Sequence, residues 1–259
     1  FINFQEYRCA LVARSVYGLV DLLEFGLPVA SVSQHRQIFG VDQISQLNSD
    51  GFKTQLYHDQ YSNKYILGFS GTELLNINDW QTNFNQFFGK EAEQYTRGVK
   101  LINNIRKDYI NRVIVTGHSL GGGIATVAAI AGGLQCLAFN PPAIHTKTLR
   151  QFETLDLEEI NQQITRYIVA GEILDLFNKT FSIKHKQIGT KQNLHGSWKI
   201  PNMLKFGLGQ KVITRFFPHP IFIFASTIGT ALFEKSITLH GMNEVIYGLK
   251  KYLKKTHNL

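Results

Sequence analysis

Arg112-Val113-Ile114-Val115-Thr116-Gly117-His118-Ser119-Leu120-Gly121-Gly122 is the stretch on which the fold turns. Its first half is a short β-branched run followed by glycine, the composition of a central parallel strand buried on both faces. Its second half opens the alanine-rich segment Gly121 to Ala131, which reads as a helix. Between the two stands Gly-x-Ser-x-Gly. A strand-to-helix turn this tight leaves no room for side chains two positions either side of the serine, so Gly117 and Gly121 are required. The strain pushes the Ser119 hydroxyl out at the carboxyl end of the strand, beside backbone N–H groups and the positive end of a helix dipole. With a strand before it and a helix after it, Ser119 reads as a nucleophile.

Further strands flank this one. Thr54 to Tyr57 and Tyr65 to Phe69 read as a pair joined through the polar Asp59–Lys64 connection. Leu134 to Phe139 is a strand ended by Asn140-Pro141-Pro142, and Tyr167 to Ala170 is another. Helices are expected over Gln94–Tyr109 and Leu155–Gln163, and an amphipathic one over Glu6–Leu23 with Leu11, Val12, Val16, Leu19, Val20 and Leu23 at helical spacing. Strand alternating with helix at these lengths means βαβ units and a mostly parallel sheet with helices on both faces. From Trp198 to Phe233 the chain turns aromatic (Phe206, Phe216, Phe217, Phe222, Phe224, Phe233) and is broken by glycine and proline. Its longest apolar run, Ile221 to Phe233, falls short of the roughly 20 residues that span a bilayer, so the segment is a buried insertion or a lid facing lipid.

Length and composition bound the rest. A chain of 259 residues suits one α/β domain over 1–259, and 44% hydrophobic against 18% charged residues excludes a disordered protein. Two cysteines, Cys9 and Cys136, are too few for a disulfide framework and read as core residues. The net charge of +8 is scattered except for Lys250, Lys251, Lys254 and Lys255. Basic residues are not interleaved with aromatics, which argues against a nucleic-acid partner. The lysine cluster is a solvated helix face or a point of attraction to an anionic membrane. No histidine or cysteine pair has metal-ligand spacing and no phosphate loop is present, so no cofactor or metal is expected, while a calcium site of a few oxygens stays open. The start at Phe1 rather than Met reads as a processed product or a piece of a longer protein.

Val115 to Gly122, together with Leu67-Gly68-Phe69-Ser70-Gly71-Thr72-Glu73 and Asp79-Trp80-Gln81-Thr82-Asn83, resembles the class 3 lipases, which group fungal triacylglycerol lipases with plant and bacterial phospholipases A1. The resemblance covers roughly residues 54–175. It implies an α/β-hydrolase fold with the 198–233 segment as lid or insertion, and it assigns Thr72 to the oxyanion hole. Leu120, the residue after the nucleophile, supplies the second N–H in this fold.

In such a fold the serine, acid and histidine follow one another along the chain, leaving His185, His195, His219, His240 and His257 as bases. His240, on the boundary Thr238-Leu239-His240-Gly241-Met242 where the family places its base, is preferred over His195. His118 is expected on the wrong side of the serine. The acid should follow strand Tyr167–Ala170. An ungapped match to the family's Asp-Ile-Val stretch sets Glu172 on that position, and Asp175, of the commoner residue type, lies one helical turn later. Both stay candidates, and the other is expected to be a helix cap or a solvated charge.

The resemblance implies ester hydrolysis on glycerolipids at a membrane or micelle surface, by a phospholipase A1 or an acylglycerol lipase. The alternatives are a small-ester esterase, thioesterase or peptidase on the same fold, or an inactive interaction module. Secretion, as a bacterial effector or toxin domain, is the expected location. Protein partners are not legible.

Overall fold

The computed structural model describes residues 3–18, 21–42, 52–71, 93–152, 157–175, 185–197 and 238–257. Eight strands occur among them: β1 (Thr54–Asp59), β2 (Lys64–Phe69), β3 (Val113–His118), β4 (Gln135–Phe139), β5 (Ile144–His145), β6 (Ile164–Val169), β7 (His185–Lys186) and β8 (Thr190–Leu194). Six of them form one sheet in the order β1-β2-β3-β4-β6-β8. The β1–β2 pair is antiparallel and the other neighbours are parallel. β5 and β7 make a separate antiparallel pair.

Side chains two apart along each strand share a face, and here the two faces feed two apolar clusters. Leu67, Phe69, Val113, Val115, Cys136 and Ala138 pack on one side with α2 (Val32–Phe39), α3 (residues 93–102), α4 (Leu120–Gly132) and α6 (Leu157–Gln163). Ile66, Ile114, Leu137 and Phe139 pack on the other with α1 (Phe4–Ser15) and α7 (Met242–His257). A mostly parallel sheet covered on both faces, with the Gly-x-Ser-x-Gly turn at the end of a central strand, is the α/β-hydrolase fold.

Several boundaries differ from those expected. The helix expected to Leu23 stops at Ser15, and Val16 to Gly18 curl into a turn. Tyr17 is drawn off the helix by hydrogen bonds of its hydroxyl to the ends of β2 and β3. Nor is α1 one-sided: Cys9, Ala10, Leu11, Val12, Ala13 and Ser15 are all buried, because the helix packs against both the sheet and α7. It comes so close to β2 that a Cβ at Gly68 would lie 2.7 Å from Val16 and 2.9 Å from Val12. The helix expected over Gln94–Tyr109 ends at residue 102, where Asn103 and Asn104 favour local turns over helix, and a 3₁₀ segment follows at Lys107–Arg112. α2 and β8 carried too little periodicity to be anticipated. The Trp198–Phe233 insertion lies outside the described residues. Among the described residues no helix is long and apolar enough to cross a membrane.

Candidate active site

The turn from β3 into α4 holds Ser119 at φ 55° and ψ −129°, a conformation that side chains rarely adopt. The space around it explains the glycines. A Cβ at Gly117 would lie 2.3 Å from the Gly121 carbonyl oxygen, and one at Gly121 would lie 2.2 Å from the Phe69 carbonyl oxygen. The elbow thus stacks directly on the end of β2. Ser119 N–H donates to the Phe139 carbonyl at 3.0 Å, and Gly123 N–H to the Ser119 carbonyl at 3.1 Å. Ser119 is only 4% exposed, and among the described residues its Oγ has no hydrogen-bond partner. Leu120 is the first residue of α4, where an amide has no partner within the helix. Thr72 lies outside the described residues, and Gly71, just before it, packs on the elbow: a Cβ there would meet Gly121 N at 2.9 Å.

His240 ends a helical stretch at residues 238–240, separated from α7 by Gly241, and is buried at 5% exposure. Its ring centre is 4.7 Å from that of His118, the residue before the serine. His240 Nδ1 lies 2.6 Å from Oε2 of Glu172. Glu172 is fully buried after β6, and its two oxygens accept the N–H groups of Leu174 and Asp175. Asp175 lies elsewhere: its Oδ1 accepts from Lys191 Nζ of β8 at 2.7 Å. It is therefore neither the helix cap nor the solvated charge that the sequence suggested for a second carboxylate, because β8 brings an ammonium over the loop and the side chain is 3% exposed. His195, the rival base, is exposed at the end of β8. His185 pairs edge-on with His145 across β5 and β7, and His219 lies outside the described residues.

Burial sets the electrostatics. It pushes the His240 imidazole down to about 3, so the ring rests neutral and able to take a proton. His118 is pushed down to about 3 as well, by burial first and by His240 second, against a hydrogen bond to the His240 carbonyl. The Glu172 carboxyl is pushed up, by burial first and then by Asp175, while the Leu174 and Asp175 N–H groups and Lys191 act the other way.

Three residues around this centre went unrecognised in the sequence. Tyr17 donates its hydroxyl to the His118 carbonyl at 2.8 Å and accepts from Gly71 N–H at 3.0 Å, joining the elbow to the end of β2. Asn140 and His118 both donate to the His240 carbonyl, at 2.8 and 2.6 Å. His118, set aside as lying on the wrong side of the serine, packs its ring against that of His240. Nothing in a single sequence links Tyr17 to residues 101 positions away. Asn140, at the end of a strand and before Pro-Pro, carried a positional hint that was read only as a strand stop.

Lys250, Lys251, Lys254 and Lys255 are exposed on α7. They lie two to nearly four turns along the helix from Met242, about 12–20 Å from the His240 end at 1.5 Å per residue. Cys9 and Cys136 are buried and free. Among the described residues no group of three or more potential metal ligands occurs.

A strained serine elbow at the end of a parallel strand, with a histidine–carboxylate pair beside it, is the arrangement of the α/β-hydrolase fold. The chain belongs to the family of Tle-like phospholipase domains, whose model matches residues 8–206. It is 31% identical over 147 residues to the extracellular phospholipase A1 of Serratia liquefaciens, an overlap of 56% of this chain and 44% of that protein. The chain thus spans less than half the length of that relative. Among solved structures it is similar to the Rhizomucor miehei lipase propeptide complex (14% identity, TM-score 0.44, covering 74% of this chain and 68% of that one). It is also similar to a triacylglycerol lipase from Penicillium expansum (13% identity, TM-score 0.44, covering 74% and 79%).

Proposed function

We propose that the chain hydrolyses acyl ester bonds of glycerophospholipids, with Ser119 as nucleophile, His240 as base and Glu172 as the acid that orients it. The observation that carries this reading is the convergence of the strained Ser119 elbow with the buried His240–Glu172 pair. With Nδ1–H directed at Glu172, Nε2 of His240 is the nitrogen left to accept the Ser119 proton. Ser119 Oγ then attacks the acyl carbonyl, and the oxyanion is stabilised by the Leu120 N–H and by Thr72. Such a donor contributes about 3 kcal/mol in the transition state. His240 returns the proton to the leaving alkoxide, giving an acyl-enzyme and a lysolipid. Water, deprotonated by the same nitrogen, releases the fatty acid and restores the serine.

The family and the Serratia relative are phospholipases, which favours a phospholipid over a neutral glyceride, and extracellular action is proposed on the same ground. The test is lipid-product mass spectrometry on mixed vesicles of phospholipid and triacylglycerol, with a short soluble ester alongside. Release of fatty acid and lysophospholipid in preference to diacylglycerol is expected. Equal turnover of the short ester, with no phospholipid product, would assign the chain to the small-ester or thioesterase reading instead.

A further inference from the structure

We propose that His118 and Asn140 are positioning residues for the base: together they clamp the His240 carbonyl and thereby fix its imidazole beside Ser119, an inference that rests on the triad reading above. The His240 carbonyl receives two side-chain donors, His118 Nε2 at 2.6 Å and Asn140 Nδ2 at 2.8 Å. A carbonyl only accepts, so Nε2 of His118 carries the proton. All three groups are buried, with exposures of 7% for His118, 0% for Asn140 and 5% for His240.

The clamp answers a weakness of the local backbone. His240 is followed by Gly241, whose wide conformational range would let the peptide between them swing were it held only by its N–H bond to the Thr238 carbonyl at 3.1 Å. The rotation axis of that swing runs through the Cα that carries the imidazole. Two donors from two different strand ends hold the peptide oxygen in one place.

Both donors are themselves tied to the other members of the site. His118 is the residue before Ser119, and its own carbonyl accepts from Tyr17. Asn140 adopts φ 44°, a left-handed turn at the end of β4 that aims its side chain inward rather than along the sheet. Its Oδ1 accepts from Val169 N–H at 2.9 Å, and its backbone N–H donates to the Tyr167 carbonyl. The Val169 carbonyl in turn accepts from Glu172 N–H at 3.1 Å. One asparagine side chain therefore spans from the strand that delivers the acid to the carbonyl of the base, and His118 spans from the nucleophile to that same oxygen. Both hydrogen-bond to the main chain of His240 rather than to its imidazole or to the serine.

The test uses paired variants that keep or remove a donor. Asn140→Asp keeps the acceptor for Val169 N–H and puts an oxygen against the His240 carbonyl. His118→Gln keeps a donor near the position of Nε2, and His118→Leu removes it. Asn140→Asp and His118→Leu are expected to lower kcat about tenfold or more with KM within about twofold, while His118→Gln recovers most of the loss. The Asn140→Asp deficit should shrink as pH falls, because a protonated carboxyl can again donate to the carbonyl. The titratable groups facing it are His118, His240 and Glu172, and dividing by the wild-type rate at each pH removes their own profile. Equal rates for His118→Gln and His118→Leu, or an Asn140→Asp rate that matches wild type, overturns the proposal. If one position yields only unfolded protein, the other decides alone, and if both do, the clamp is a folding element and the proposal fails. Fluorophosphonate labelling of wild type at Ser119 separates this from the underlying reading: labelling with unchanged variants sinks only the clamp, whereas no labelling sinks the triad.

Discussion

Ser119→Ala should abolish ester hydrolysis, with kcat falling by on the order of 10⁴- to 10⁶-fold, while the folded protein becomes no less stable. The kinetic half follows from the proposed role, since the acyl-enzyme forms on the Ser119 hydroxyl. The stability half follows from the surroundings. The hydroxyl is buried and has no partner among the described residues, so removing it gives up no protein hydrogen bond and relieves a desolvated polar group. Alanine is also no more strained than serine at φ 55°. Kinetics on phospholipid vesicles and a thermal melt of the same preparation check both halves. Residual activity above a few per cent, in protein free of contaminating esterase, would remove Ser119 from the mechanism.

The second large effect separates two neighbouring carboxylates. Glu172→Gln is expected to lower kcat by about 10³- to 10⁴-fold with substrate binding largely kept, because an amide no longer holds the imidazole in the required tautomer or stabilises its cation. Asp175→Asn should cost less than about tenfold in kcat. Its cost in stability should be small, because it only loosens the contact with Lys191, whose side chain is 28% exposed and can turn to solvent. Steady-state kinetics of the two variants, rather than their melting temperatures, therefore separates them. A crippled rate in Asp175→Asn with a healthy Glu172→Gln would move the acid by three residues and overturn the pairing of Glu172 with His240.

How much of this was legible in the sequence depended on range. The elbow was, because its requirement is local: a β-branched strand, two glycines that cannot carry a Cβ, and a helix that starts at once. The parallel sheet was legible too, since strands buried on both faces announce themselves as runs such as Val113–Val115. The choice between Glu172 and Asp175 was not, because the two lie one turn apart on a single loop. Only β8, a polar edge strand with little periodicity, brings Lys191 to one of them and leaves the other to His240. Tyr17, His118 and Asn140 act through bonds across 101, 122 and 100 positions, a separation at which residue type alone carries no signal. The end of α1 at Ser15 was missed for the same reason, since the pull on Tyr17 comes from the ends of β2 and β3.

Burying a neutral histidine beside the nucleophile ties the integrity of the domain to proton uptake. His118 titrates near 6.5 when exposed and near 3 in the folded protein. Between those values the unfolded chain binds a proton that the folded one refuses, so acid favours unfolding over that interval. The contribution of His118 to stability is therefore complete above about pH 6.5 and is lost as pH falls toward 3. Denaturant midpoints measured across this interval should decline more steeply for wild type than for His118→Gln, which has no proton to gain at that site. Parallel curves would mean that His118 is already neutral in the unfolded chain or reaches solvent in the folded one. If the steeper curve is found, the packing that keeps the base ready also limits how acidic a setting the folded enzyme can tolerate.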